Sequence, residues 1–504
     1  MANEVELKLH IVTSDIARLK RHPSIKASQV SKPRTRKLLS IYYDTPQLTL
    51  LDSDISLRVR RISGNWIQSV KGKGKVLAGL HQRKELEDIV ASGHPDFSKI
   101  IDPELIWIFD DDVVRNSLAP LFSTDIQRTE WQLVFDNGDQ IELALDIGEL
   151  VVGEKRESIS EIELELKQGN AGRLFEFALR LQQNIPLELE NISKAQRGYD
   201  YYRHQPPVIV MANPVRLHRD MSAHAALKQI AWECLTHLQG NQDMVLHGEN
   251  IEGVHQMRVA LRRLRSALNA FRRIANKQSC ADIVEEIRWI AGVLGHARDL
   301  DVFVTQTLPP VLLQLLDQPS LILLNKRAEH ARQQAYVAVR GALSSQRYHR
   351  LLLTLGDWLE NERWQESKTV ECSVFDIAKT TFAKRRKQLK KHGRLLMHAH
   401  PEERHATRIA AKKLRYATEF FICLYPKVKT RSFLKTLSKL LNILGKLNDI
   451  TITEHIIFHL AGEHPETALN EALYLLTGWN SCSAARYKQD LEDVQNHFLY
   501  LKIF

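Results

Sequence analysis

Glu4-Val5-Glu6-Leu7-Lys8-Leu9 alternates a charged residue with an apolar one. A period of two is that of a β-strand, so Glu4, Glu6 and Lys8 share one face and Val5, Leu7 and Leu9 the other. The pattern recurs over the first two hundred residues. Ser56–Arg60 sets Arg58 and Arg60 against Leu57 and Val59, and Gln82–Asp88 groups Arg83, Glu85 and Glu87. Trp66–Lys73 groups Ser69, Lys71 and Lys73, and Gln140–Ile147 groups Glu142, Ala144 and Asp146. Ser158–Lys167 groups Glu161, Glu163, Glu165 and Lys167. With Leu38–Asp44 and Ile126–Phe135 this makes about eight strands, joined at Gly64-Asn65 and Asn137-Gly138 by hairpin signals. Residues 31–37 read as a basic loop, and 14–22, 99–118 and 170–184 as helical cover. An antiparallel sheet closed into a barrel satisfies this pattern. An ordinary solvated face mixes signs along each strand. Here the Arg58/Arg60 strand is wholly basic and the Glu161/Glu163/Glu165 strand nearly all acidic. Segregated carboxylates and cations suit a site that holds Mg²⁺ or Mn²⁺ on one side and phosphates on the other.

Charge also divides the chain. Residues 1–205 hold 28 Lys+Arg and 31 Asp+Glu; the remainder holds 42 and 29, a net of +13, which points to an anionic partner for the second half. His204–Val215, with Pro206, Pro207 and Pro214, reads as a linker. Beyond it the hydrophobic period becomes helical. Cys234, Cys280, Cys372, Cys423 and Cys482 have no zinc or disulfide spacing, so reduced thiols in a cytoplasmic protein are expected. No signal peptide is recognisable at the N-terminus, and the most apolar run, Val311–Leu324, is broken by Gln314, Asp317 and Pro319, so no membrane partner is expected.

The helical half repeats itself. His255-x-x-Arg258-x-x-x-Arg262-Arg263-Leu264-Arg265 recurs as His405-x-x-Arg408-x-x-x-Lys412-Lys413-Leu414-Arg415, and Leu294-Gly295-x-x-x-Asp299 as Leu444-Gly445-x-x-x-Asp449, both 150 residues on. A shared offset over two blocks means duplication, hence two similar bundles. On a helix His255, Arg258, Arg262 and Arg265 span about 80°, a basic stripe with almost no interleaved acid. Neither His255 nor His405 has a second histidine at metal spacing. The stripes lack the aromatics that base stacking needs, so nucleic acid is not the expected partner.

The front half resembles the CYTH superfamily, the triphosphate tunnel metalloenzymes. The resemblance rests on Glu4-x-Glu6-x-Lys8, Tyr43-Asp44-Thr45-Pro46, Leu57-Arg58-Val59-Arg60, Lys71-Gly72-Lys73, Arg83-x-Glu85-x-Glu87, Ala144-Leu145-Asp146, Glu161–Leu166 and Lys194–Tyr199, in order over about 200 residues. It implies an eight-stranded tunnel that binds triphosphate compounds with Mg²⁺ or Mn²⁺. By position, Glu4, Glu6, Glu85, Asp146, Glu163 and Glu165 become metal ligands, with Glu87 and Glu161 as further candidates. Lys8, Arg58, Arg60, Lys71, Arg83, Arg128 and Lys194 become phosphate ligands, and Glu4, Glu6, Lys8 and Lys71 the catalytic set. The strand around Arg128 leaves its inward parity open. The back half resembles the CHAD domain, which implies binding of inorganic polyphosphate through His255, Arg258, Arg262, Arg265, His405, Arg408, Lys412 and Arg415, with Arg263 and Lys413 assisting. The expected layout is a tunnel domain over 1–203, a linker over 204–217 and two helical repeats over 218–365 and 366–504. The tandem resembles bacterial inorganic triphosphatases, which implies hydrolysis of inorganic triphosphate to pyrophosphate and phosphate. Thiamine or nucleoside triphosphate turnover, class IV adenylyl cyclase chemistry and a catalytically weak polyphosphate scaffold are the alternatives.

Overall fold

The computed structural model describes residues 3–203, 206–275, 277–364, 372–393, 396, 400–461 and 467–500. It divides into two compact units. One holds residues 1–207 with 344–363, the other 208–343 with 364–504.

The first unit is the expected closed barrel. Its strands are β1 (Asn3–Ile11), β2 (Arg34–Asp44), β3 (Ser56–Ile62), β4 (Asn65–Leu77), β5 (Leu80–Val90), β6 (Ala119–Val134), β7 (Gln140–Val152) and β8 (Lys155–Gln168). They pair antiparallel in the order β5-β4-β3-β2-β6-β7-β8-β1, and β1 closes the ring onto β5. A short β9 (Leu187–Leu189) adds to β1 beyond the end of β5. Tight turns fix the register. Ser63 and Gly64 both have positive φ, which matches the twist of a two-residue hairpin loop. The β3–β4 turn is therefore Ser63-Gly64, and Asn65 already pairs with Ile62. The basic run also differs from expectation. Arg34–Lys37 belongs to β2, where Arg36 pairs with Glu130 and Lys37 with Asp125.

The apolar residues of each strand point outward under a cover of helix and loop. Leu57, Val59 and Val70 pack with Leu105, Ile108 and Phe109. Helix α1 (Gly172–Leu181) buries Leu174, Phe175, Phe177, Ala178 and Leu181. Helix α2 (Lys194–Arg203) carries Lys194 at its first position.

The described secondary structure of the second unit is helical apart from an isolated bridge between Ser222 and Ser373; its long helices are α3 (Ala223–Gln239), α4 (Glu252–Ala270), α5 (Lys277–Val302), α6 (Pro319–Leu343), then, beyond a segment of the first unit, α8 (Val374–Gly393), α9 (Pro401–Phe421), α10 (Lys427–Ala461) and α11 (Thr467–Tyr500). The intervening α7 (Gln346–Glu360) packs on α1 and β9 within the barrel unit. The first helical repeat, expected as continuous over 218–365, thus gives up residues 344–363. The expected boundary between repeats at 365–366 lies outside the described residues, as does the start of the linker at 204.

Candidate functional site

Because the apolar face of each strand turns outward, the charged face fills the lumen. Glu6 and Lys8 are each only 4% exposed. One cavity is lined by Glu4, Glu6, Lys8, Arg58, Arg60, Lys71, Arg83, Arg128, Glu163, Glu165 and Lys194, eleven of the residues expected from the sequence. Strand register sets them in tiers. Glu6 lies opposite Glu165, and Glu165 opposite Glu142; one tier on, Lys8 lies opposite Glu163, and further along Glu161 opposite Asp146.

The deeper tier is neutralised from within. Arg128 points inward and makes a fork to Asp146, Nε to Oδ1 at 2.7 Å and Nη2 to Oδ2 at 2.6 Å, and also meets Glu163. Lys194 Nζ reaches Asp146 at 2.7 Å, Glu163 at 2.9 Å, and Glu161. Carboxylate oxygens of Asp146, Glu161 and Glu163 lie within 4.8 Å of one another, an all-oxygen set of the kind hard divalent ions favour. In this arrangement the Lys194 ammonium is the cation they surround. Burial pushes the Asp146 carboxyl up, but Arg128 and Lys194 outweigh it and hold it at about 2. Glu163 is likewise held well below the usual carboxylate range, burial being outweighed by Lys194, Lys8 and Arg128.

The outer tier is not balanced in this way. Glu142, Glu165 and Glu6 stand side by side on three neighbouring strands, and like charges placed directly opposite repel. Burial raises Glu165 despite its contact with Lys167 at 2.6 Å. Burial raises Glu4 to about 7, since repulsion from Glu6 and Glu85 adds to it and Lys71, 2.6 Å away, offsets only part. Glu6 lies below the ordinary value: burial pushes it up, and Lys8 at 3.0 Å together with Lys71 and His81 outweighs that. On the facing wall the imbalance has the other sign. Burial, then Arg58 and Arg128, lower Arg60 to about 10, and its Nε donates to the Ser40 hydroxyl at 2.9 Å. Arg83 donates to His81 Nδ1 at 2.8 Å. Arg58 and Lys71 share Glu85, at 3.3 and 3.2 Å.

Three expectations shift. Glu85 and Asp146 do not line the cavity; each stands behind it, bound to the cations that do. Lys73 leaves the face that strand parity shares out to it and Lys71, because the β4–β5 register slips between Lys71 and Gly74; it pairs with Asp54 at the surface. Glu142, Tyr42 and Ser193 line the cavity without being among the expected ligands. Glu142 is within reach of strand parity, being four residues from Asp146; Ser193 precedes a helix and carries no periodic signal.

In the second unit the duplicated stripes converge. Lys412 on α9 is lowered to about 7 by burial and then by Arg262 and Arg408, and Arg258 adds to this. Arg258 is lowered to about 10 by burial, then Arg262. Asp299 and Asp449, from the other repeated block, sit among these cations, and burial raises both. Arg258 Nη1 donates to the Ala291 carbonyl at 3.1 Å and passes over Gly295, where a Cβ would come within 2.3 Å of it. Arg408 Nε and Arg298 Nη1 are buried without a hydrogen-bond partner. His405 Nδ1 is 2.8 Å from Asn448 Oδ1, and His255 is lowered by burial and by Arg298, the duplicate of Asn448. Two assignments change. Arg263 is buried against the Phe420 ring, 5.6 Å from its centroid, and does not join the stripe. The stripe also has an interleaved acid, since Arg415 pairs with Glu419 at 2.9 Å, four residues on.

The chain belongs to the CYTH–CHAD class: residues 2–199 match the CYTH domain and residues 229–457 the CHAD domain. Its barrel is related to that of an inorganic triphosphatase of Haemophilus influenzae, 32% identical over 200 residues, 40% of this chain and 55% of that protein. The chain therefore spans about half the length of that relative. An uncharacterized protein of Mycobacterium tuberculosis is 27% identical over 462 residues, 82% of this chain and 81% of its own. The crystal structure of the CHAD domain from the plant Ricinus communis superposes with a TM-score of 0.53 at 32% identity, over 60% of this chain and 98% of that one.

No helix among the described residues is long and apolar enough to cross a membrane.

Proposed function

We propose that the barrel hydrolyses inorganic triphosphate to pyrophosphate and phosphate. The observation that carries this is the opposed imbalance inside one lumen. The Glu4/Glu6/Glu165/Glu142 wall has an excess of carboxylate, and the Arg58/Arg60/Lys71/Arg83 wall offers cations. A divalent ion and a short polyphosphate satisfy both together. Among the described residues Tyr42 is the sole aromatic group in the lining, so a nucleobase or thiazole finds little to stack on, which favours the inorganic chain. The similarity of the barrel to an inorganic triphosphatase points the same way.

In this reading Glu4, Glu6 and Glu165 would hold Mg²⁺ or Mn²⁺, with Glu163 as a further oxygen donor. Bound there, the ion would offset charge on phosphate oxygens and lower the pKa of water. Arg58, Arg60, Lys71 and Arg83 hold the phosphate chain in line and offset the charge that builds on the leaving pyrophosphate. Lys8 stands between Glu6 and Glu163 and directs both. Asp146 and Glu161 keep Arg128 and Lys194 aimed into the lumen. Water attacks the terminal phosphorus, the phosphoanhydride P–O bond breaks, and its electron pair leaves on pyrophosphate. The helical unit binds inorganic polyphosphate where Arg258, Arg262, Arg408 and Lys412 converge; the buried N–H groups of Arg408 and Arg298 that lack acceptors support this.

The test is phosphate release by the full chain offered triphosphate, ATP and thiamine triphosphate with Mg²⁺ or Mn²⁺. Triphosphate is expected to be preferred, and Glu6→Gln to lower kcat at least about 100-fold, the range found when one charge-stabilising group is lost. Cyclic AMP from ATP would establish the cyclase alternative. No release from any substrate, with polyphosphate still bound, would establish the scaffold.

A further inference from the structure

Helix α7 is out of place in the sequence. It lies between helices of the second unit, yet it packs on α1 and β9 of the barrel unit. Ser345 caps its start, its hydroxyl accepting from Tyr348 N–H at 3.3 Å, so α7 begins as a helix separate from α6, which ends at Leu343. The fit against the barrel is close. A Cβ on Gly356 of α7 would lie 2.3 Å from the Phe175 ring, and one on Gly172 of α1 would lie 2.0 Å from Asn361 Oδ1. Leu352, Leu355 and Leu359 are fully buried.

Beyond packing, α7 completes the sheet. Strand β9 pairs with β1 along one edge only, Leu9 with Leu189 and Ile11 with Leu187. The N–H groups on its other edge would need water or another strand. Two α7 side chains accept them instead. Gln346 Oε1 accepts from Leu187 N–H at 3.0 Å, and His349 Nδ1 accepts from Leu189 N–H at 3.1 Å. Gln346 also accepts from Gln182, which in turn donates to the Leu187 carbonyl.

The chain then runs from β9 into the tunnel. Glu190 N–H donates to the Lys8 carbonyl at 2.9 Å, and the Glu190 carbonyl lies 3.2 Å from His81 Nε2, whose ring holds Arg83. Asn191 Oδ1 accepts from Gly79 N–H at 2.8 Å. Ser193 and Lys194 line the cavity. One short segment, Leu189 to Lys194, therefore links the His349 contact to the lumen, touching Lys8 directly and Arg83 through His81.

We infer that Gln346 and His349 are positioning residues for the tunnel, contributed by a segment inserted in the helical half: they hold β9, and β9 places Lys194, Lys8 and Arg83. The inference rests on the reading of the tunnel as a triphosphate site. It also means that a barrel cut at the linker lacks its own scaffold, since residues 344–363 would be missing.

The test uses the full chain and two readouts. Titration calorimetry measures the Kd for tripolyphosphate in the absence of divalent metal, every protein including the wild-type reference carrying Arg258→Ala and Lys412→Ala so that the anion site of the helical unit does not contribute, and phosphate release by the wild type is measured separately with Mg²⁺. His349→Ala is expected to weaken tripolyphosphate binding about tenfold, as expected for loss of one well-placed charged contact. His349→Asn, whose carbonyl oxygen can replace Nδ1 as acceptor, is expected to recover most of that loss. Leu355→Ala, which removes packing but no bond to β9, should lower Tm and leave Kd unchanged. Equal weakening by Leu355→Ala and His349→Ala, or wild-type Kd in His349→Ala, would overturn the positioning role. Should His349→Ala fail to fold, His349→Asn and Gln346→Ala decide by the same comparison. Wild-type binding without hydrolysis would refute the proposed reaction alone; absence of wild-type binding would overturn both.

Discussion

Binding at the proposed polyphosphate site is expected to depend on pH through Lys412, and the size of the effect comes from its surroundings. Burial, then the charges of Arg262 and Arg408, lower its ammonium from 10.5 to about 7. A bound polyphosphate supplies the negative charge that this cluster lacks and returns Lys412 toward its ordinary value. Below pH 6 the amine is charged in both states, and affinity is flat. Above pH 7 the free protein has lost the proton that the complex keeps, so each further pH unit costs up to about 1.4 kcal/mol, or about tenfold in Kd. From pH 7 to pH 9 the loss approaches about 50-fold, because half the amine is already uncharged at pH 7, with uptake of about one proton on binding at pH 9. The sign for stability is opposite. Because the folded value lies below the unfolded one, the unfolded chain binds more protons between pH 7 and 10.5, and the free protein gains stability from this group as pH rises through that window. Calorimetry at pH 8.5 in two buffers of different ionisation enthalpy reads the proton directly. Lys412→Arg, charged throughout, should bind with neither the uptake nor the slope. An unchanged slope in Lys412→Arg, or no proton uptake by the wild type, would refute this reasoning.

Single contacts set the other expected outcomes. Gly295→Ala should weaken polyphosphate binding by about tenfold, because a Cβ there meets Arg258 Nη1 at 2.3 Å and displaces the guanidinium, while triphosphate turnover stays at the wild-type rate. Arg263→Ala should lower Tm, at a cost of about 1–2 kcal/mol from the lost Phe420 ring contact, and leave polyphosphate Kd unchanged; a large Kd change with intact Tm would restore Arg263 to the stripe. Arg60→Ala should raise KM for triphosphate at least about tenfold without lowering Tm, since it removes a buried cation that is held by the Ser40 hydroxyl and repelled by Arg58 and Arg128. A drop in Tm with unchanged KM would show that Arg60 is structural.

Much of the barrel is legible in the sequence because a strand writes its geometry at a period of two. Parity alone places Glu4, Glu6, Lys8, Arg58, Arg60, Glu163 and Glu165 on one inner face, and the lumen contains all of them. Parity fails where the period breaks. The slip between Lys71 and Gly74 turns Lys73 out to solvent. Parity leaves Arg128 undecided because polar residues flank it on both sides, and only its fork to Asp146 fixes its direction. Pairing across strands is also invisible to a one-dimensional pattern. The row Glu6, Glu165, Glu142 comes from register between β1, β8 and β7, which turn lengths and closure set. In the helical half the 150-residue offset reveals the stripes, but the turn of Arg263 toward Phe420 depends on a helix contact that no spacing encodes. The transfer of residues 344–363 to the barrel unit is the least legible feature: α7 has an ordinary amphipathic pattern, and nothing in it names the face it covers.

The measurement that tests the central claim most directly is a crystal structure of the full chain with tripolyphosphate and Mn²⁺, using the anomalous signal to locate the metal. Manganese is expected against Glu4, Glu6 and Glu165, with the phosphates along Arg58, Arg60, Lys71 and Arg83. Manganese and phosphate bound outside the barrel, with the lumen's own ion pairs undisturbed, would contradict it.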